Sequence, residues 1–136
     1  MTETISRLLA GGDAAAPAIR GTNERPSLTF GALRELCART VKALNAMGIG
    51  RGDRVAIVLP NGPEMAAAFL AIGAGATTAP LNPAYRAEEF TFYLTDLEAK
   101  ALVVLHGMAS DAREVAARLS IPVLDLIPDE AAGDFT

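Results

Sequence analysis

The stretch GIGRGDRVAIVLPNG, residues 48–62, places three glycines ahead of the aliphatic run Val55-Ala56-Ile57-Val58-Leu59 and a fourth just behind it. Glycines that cradle a pyrophosphate follow a strand and open a helix, because the helix N-terminus supplies unpaired N–H groups and the positive end of the dipole. Here the order is inverted. Gly48, Gly50 and Gly52 follow a helical pattern and precede a strand that starts at Arg54, so they read as a helix C-terminal cap and a turn, where positive φ is needed. The Arg51-Gly52-Asp53 tripeptide matches an adhesion motif, but three residues specify little and nothing else in the sequence points outside the cell.

Upstream, Leu33, Leu36, Cys37, Thr40, Val41, Leu44 and Met47 recur at spacings of three and four, the stripe of an amphipathic helix that Gly48 ends. Thr29 is placed to cap it, with Leu28 and Leu33 as a hydrophobic staple, and Arg34, Glu35, Arg39, Lys42 and Asn45 form its solvent face. Residues 17–20 and 27–30 flank the turn-rich GTNERP and predict a short hairpin. Downstream, aliphatic runs begin near Arg54, Thr77, Ala101 and Pro122, each separated from the next by one helical pattern. The first and third are continuously apolar, as strands covered on both faces are in a parallel sheet. In the intervening helices Asn61 reads as a cap with Pro63 in the first turn, a second helix spans about 87–99 over Phe90, Leu94 and Leu97, and a third buries Ala112, Val115, Ala116 and Leu119. Asp111, Arg113, Glu114 and Arg118 of that third helix face water in this reading. The fold class is α/β: an open, mostly parallel sheet with helices on both faces, in three layers.

The 136 residues suit one domain, and the apolar share of 51% with only 5% aromatics predicts an aliphatic, alanine-rich core. A net charge of -4 with singly scattered basic residues argues against a nucleic-acid partner. Cys37 is alone and reads as core filler; with one histidine, His106, and no ligand spacing around it, no metal site is expected. Residues 1–10 carry an acidic Glu3 and no sustained apolar core, so a secretory signal is not expected and a reducing cytoplasm is. The longest apolar run, 65–80, falls short of the roughly 18 residues of a membrane span and reads as a buried helix leading into a strand. The tail IPDEAAGDFT holds no pattern that closes a domain, and a strand at 123–126 is expected at a sheet edge, where its aliphatic rim favours association.

Functional groups in open α/β sheets gather beyond the carboxyl ends of the strands. Four positions qualify: 60–62, 82–86, His106-Gly107, and Asp125 onward. The turn 82–86 carries the most chemistry. Asn82 and Pro83 fix it, Tyr85 offers a phenol, and Arg86 offers a guanidinium that can hold a phosphate or carboxylate. The competing reading packs Tyr85 on Phe92 or Tyr93 and pairs Arg86 with a glutamate. No lysine-bearing Gly/Ser/Thr loop and no G-x-S-x-G elbow occurs, so no catalytic residue is assigned.

Taken together, Thr29-Phe30 with Leu33, GIGRGDRV, LPNGPE, the small residues 73–76 and PLNPAYRAEEF resemble the opening of the adenylate-forming acyl-CoA synthetases, the AMP-binding superfamily, over about residues 17–126. PLNPAYRAEEFTFYLTDLEAKALVV is most similar to the oxalate:CoA ligase branch. The resemblance implies that residues 1–136 are part of the N-terminal subdomain of such a ligase. The intact enzyme would use ATP, Mg and coenzyme A, converting a small-molecule carboxylate to an acyl-adenylate and then a thioester. It implies that the family's reactive motifs lie beyond this sequence, that the piece alone is inactive and binds no cofactor, and that its partner is the remainder of its own chain, in whose absence exposed apolar surface favours self-association. Asn82, Tyr85 and Arg86 are the only ligand-binding candidates. The alternative is a self-contained, non-catalytic α/β binding or scaffolding module.

Overall fold

The computed structural model describes residues 14–19, 21, 25–128, 131, 133 and 135. The reading of residues 1–10 lies outside the described residues, as do parts of the 21–26 turn and of the tail. The hairpin forms as expected, β1 (Pro17–Ile19) antiparallel to β2 (Leu28–Thr29). Then α1 (Phe30–Ala46), β3 (Arg54–Val58), α2 (Pro63–Gly73), β4 (Thr77–Pro80), α3 (Ala87–Leu97), β5 (Ala101–Leu105), α4 (Asp111–Arg118) and β6 (Val123–Leu126) alternate along the chain. The four later strands make one wholly parallel sheet in the order β4-β3-β5-β6.

Side-chain alternation on β3 and β5 assigns the layers. Val55, Ile57, Ala101 and Val103 pack under α1 and α2, whereas Ala56, Val58, Leu102 and Val104 pack under α3 and α4. Both central strands are buried on both faces, which is why their sequences run apolar without alternating. The edge strands β4 and β6 are shorter and partly exposed.

Local signals fix the helix ends. The Thr29 side chain accepts a hydrogen bond from the Ala32 N–H at 3.1 Å, capping α1, while Leu28 and Leu33 are both buried in the cluster beneath it. At the other end the Gly48 N–H donates to the Asn45 carbonyl (3.0 Å) and the Ile49 N–H to the Leu44 carbonyl (2.9 Å), with Gly48 at φ 81°. This is the helix stop in which one left-handed residue lets two amides satisfy the last carbonyls. The same pair of bonds closes α3 and α4, with Glu98 (φ 51°) and Ser120 (φ 60°) in the position glycine holds after α1. The turn into β3 is tied by Asp53, whose carboxylate accepts the Gly50 N–H at 2.9 Å, so Arg51-Gly52-Asp53 is turn structure.

Three expectations are corrected. The α2 cap is Gly62 rather than Asn61, with no side-chain cap bond, because Pro63 opens the helix one residue later than the Asn cap required. Met47 ends α1 and is 44% exposed instead of joining the core. Arg113 is half-buried and fully engaged, as described below, and is not part of a solvated face. Cys37 is buried and its thiol is pushed up by that burial, as expected of filler. The helices α1 and α2 come closest near Gly75, where an added Cβ would stand 2.8 Å from Cγ2 of Val41.

Candidate functional site

All four carboxyl ends of a parallel sheet lie on one side. The chain leaves β3 for β4 on one flank and returns to β5 on the other, so the connections diverge between β3 and β5, the switch point where ligands of such sheets bind. Asn61 and Gly62 follow β3 there, and His106 and Gly107 follow β5; all four are exposed. The His106 Nδ1 lies 4.0 Å from Oδ1 of Asp125, with the two side chains 63% and 40% exposed. At that distance and exposure the attraction is weak and screened by water.

Asp125 has a stronger partner that sequence reasoning missed. Arg113 of α4 donates to its Oδ1 at 2.7 Å and also to the carbonyls of Leu105 and Met108, both at 2.8 Å. One guanidinium thus ties the ends of β5 and β6 to α4. The hydrogen bond from Arg113 holds the Asp125 carboxyl below the usual aspartate range, with its charge and that of His106 adding to the effect. The signal was present as a lone aspartate within the aliphatic strand Val123-Leu124-Asp125-Leu126. A charge in such a strand needs a partner, and only the register reveals which.

The turn after β4 brings Asn82, Tyr85 and Arg86 together in one loop, and most of its polar groups serve the loop itself. The Asn82 Oδ1 accepts the Ala84 N–H at 2.9 Å and its carbonyl accepts the Tyr85 N–H at 3.1 Å. Tyr85 stacks on Tyr93 (centroids 5.2 Å apart, planes 12° apart), meets Phe90 edge-on at 5.8 Å and packs against the α3/α4 cluster. Its phenol titrates above the ordinary value, first through the side-chain hydrogen bond with Tyr93. The Glu89 carboxylate reaches the backbone N–H of Arg86 at 3.2 Å, a capping contact that leaves the guanidinium unengaged. The expected Tyr85 packing therefore holds, whereas the glutamate meets the arginine's backbone instead of its charge. The exposed Arg86 guanidinium is what this loop can offer an anion.

Among the described residues no group of three or more His, Cys, Asp or Glu could hold a metal ion, and no helix is long and apolar enough to cross a membrane. A nucleoside triphosphate would need several donors and cations converging at these strand ends. The side chains here supply one free guanidinium, and the described strand-end loops hold no lysine, so they do not by themselves fit ATP.

An α/β sheet with this strand order, a structural turn after β4 and no reactive cluster defines a supporting portion of a larger enzyme fold. The AMP-binding enzyme family matches residues 10–134, and the chain belongs to that family. It is 44% identical over 95 residues to a probable CoA ligase, CCL9, of Humulus lupulus, an alignment covering 69% of this chain and 18% of that protein. It is 44% identical over 97 residues to the oxalate–CoA ligase of Arabidopsis thaliana, covering 70% and 19%. The structure superposes on ATP-bound MatB from Rhodopseudomonas palustris with a TM-score of 0.79 at 28% identity, covering 98% of this chain and 27% of that one. The chain thus spans under a fifth of the length of those two curated relatives.

Proposed function

We propose that this chain supplies the N-terminal, supporting part of an acid:CoA ligase, residues 1–136 forming part of the subdomain that underlies the active centre. In the whole enzyme a small-molecule carboxylate would be activated with MgATP to an acyl-adenylate and passed to coenzyme A, in the cytoplasm. A carboxylate is a poor electrophile, and exchanging one of its oxygens for AMP creates a leaving group that a thiol can displace. The 44% identity to an oxalate–CoA ligase, reaching across most of this chain, supports the oxalate branch and a short dicarboxylate as substrate. The residues here act by holding the sheet and its strand-end loops in place. Arg113 fixes the β5 and β6 ends, and the turn carrying Asn82, Tyr85 and Arg86 is the part that faces ligand, with Arg86 the group that meets an anion.

The observation that carries this reading is the near-complete superposition of the chain on about a quarter of a ligase. The test is a full-length chimera in which residues 1–136 replace the matching segment of the R. palustris enzyme, assayed for pyrophosphate release with short dicarboxylic, aromatic and fatty acids. Acid-dependent release by the chimera, and none by the 136-residue chain, is the expected result. Release by the 136-residue chain alone overturns the assignment of a supporting role, and a folded chimera inactive with every acid favours a non-catalytic module.

A further inference from the structure

The sheet has two edges, and they differ. Along β4 the sequence Thr-Thr-Ala-Pro ends in an exposed Pro80, which has no N–H to give a further strand. Along β6 the Pro122 and Leu126 carbonyls accept from Leu102 and His106 of β5. Alternation then turns the backbone groups of Val123 and Asp125 toward the open side. Beside that edge lies an apolar groove of about 360 Å³ between α1 and the sheet, lined by Leu36, Ala43, Met47, Leu124, Leu126 and Phe135 among others. An open aliphatic edge next to an apolar trough is a template for strand addition.

We propose that this groove and the β6 edge seat an extended strand, antiparallel to β6, from the part of the ligase fold that this chain does not span; the proposal rests on the ligase reading above. Three observations select that occupant. Pro128 and Phe135 form an antiparallel bridge, so the chain already doubles back at the end of β6. Phe135 is buried in the groove with its carbonyl held by Arg39 at 3.1 Å, and a strand continuing in its direction runs back along β6. The solved ligase that superposes on this chain is nearly four times as long, which supplies the covering segment. A second copy fits poorly. Two β6 edges paired antiparallel with their faces aligned set Asp125 opposite Asp125 or opposite the apolar Val123, and like charges directly opposed are destabilising.

The test uses the full-length chimera with R. palustris MatB and the 136-residue chain side by side. Ala43→Arg and Met47→Arg place a cation in the groove from positions exposed in this structure, and Ala46→Arg, on the same helix but outside the groove, is the control. In the 136-residue chain all three should unfold at the parental urea midpoint. In the chimera the two groove variants should lower the unfolding temperature by several degrees and Ala46→Arg should not. A folded chimera indifferent to Ala43→Arg and Met47→Arg overturns the proposed seat while leaving the ligase reading intact. Dimerisation of the 136-residue chain that Met47→Arg abolishes makes a second copy the occupant and also overturns it. A parental chimera that cannot fold overturns the ligase reading and the seat together.

Discussion

Replacing Gly75 with alanine tests the packing of α1 on α2 directly. An alanine Cβ at position 75 would stand 2.8 Å from Cγ2, 3.0 Å from Cγ1 and 3.3 Å from Cβ of Val41. Carbon pairs settle near 3.5–4.0 Å, so the helices must separate by roughly 0.5–1 Å or Val41 must leave its rotamer, which a β-branched residue in a helix resists. Overpacking of this kind costs about 1–3 kcal/mol. Gly75 has no left-handed backbone, so the loss of unfolded-state freedom on gaining a Cβ works the other way by about 0.4–1 kcal/mol. The net expectation is a destabilisation of about 1–2 kcal/mol. In a Val41→Ala background the two methyl contacts vanish and only the 3.3 Å contact remains. Gly75→Ala should then be neutral or stabilising by up to about 0.5 kcal/mol. Urea unfolding of the four proteins at constant m-value closes the double-mutant cycle, with a favourable coupling of about 1–2 kcal/mol expected. Additive effects of the two substitutions would refute the contact as the reason position 75 is glycine.

The left-handed residues that end α3 and α4 are not glycine, so Glu98→Gly and Ser120→Gly should each raise stability by about 0.5–1 kcal/mol, read as a shift in urea midpoint, whereas glycine at an exposed mid-helix position such as Glu114 should lower it. Because the Asp125 carboxyl is depressed by the Arg113 hydrogen bond, its contribution is present above the unfolded aspartate value and lost as pH falls through the folded one. The stability gap between the parent and Asp125→Asn should therefore be constant above about pH 5 and shrink below it, and a gap that widens on acidification would contradict the assignment. Glu64, half-buried at the start of α2, accepts from Arg25 at 2.9 and 3.0 Å and from the Gly133 N–H at 2.8 Å. Glu64→Gln should cost about 1–3 kcal/mol and speed amide exchange at Gly133.

The layers were legible because burial on two faces writes itself into composition. The uninterrupted apolar residues of β3 and β5 mark central strands, and the three-and-four spacing from Leu33 to Leu44 marks a helix with one buried side. The Thr29 cap and the Gly48 stop were equally plain, since each uses side-chain or backbone chemistry local to the residues concerned. What depended on contacts between distant segments was not legible. Arg113 looked solvated from its helical position alone, and only the β5–β6 register brings Asp125 and the Leu105 carbonyl within its reach. Met47 fits the apolar stripe by spacing, yet the helix ends beneath it and leaves it beside an open groove. In the 82–86 turn the sequence showed the functional groups without showing that Asn82 and Tyr85 are largely committed to the turn's own geometry.

The strand order β4-β3-β5-β6 also sets what the ribosome releases, and when. By the time β4 has emerged, α1 and α2 can already shelter one side of β3, but Ala56 and Val58 on the other side wait for α3 and α4, made dozens of residues later. For those seconds the nascent chain carries a bare aliphatic ledge, a natural target for chaperones that bind unsheltered apolar segments as a polypeptide is being made.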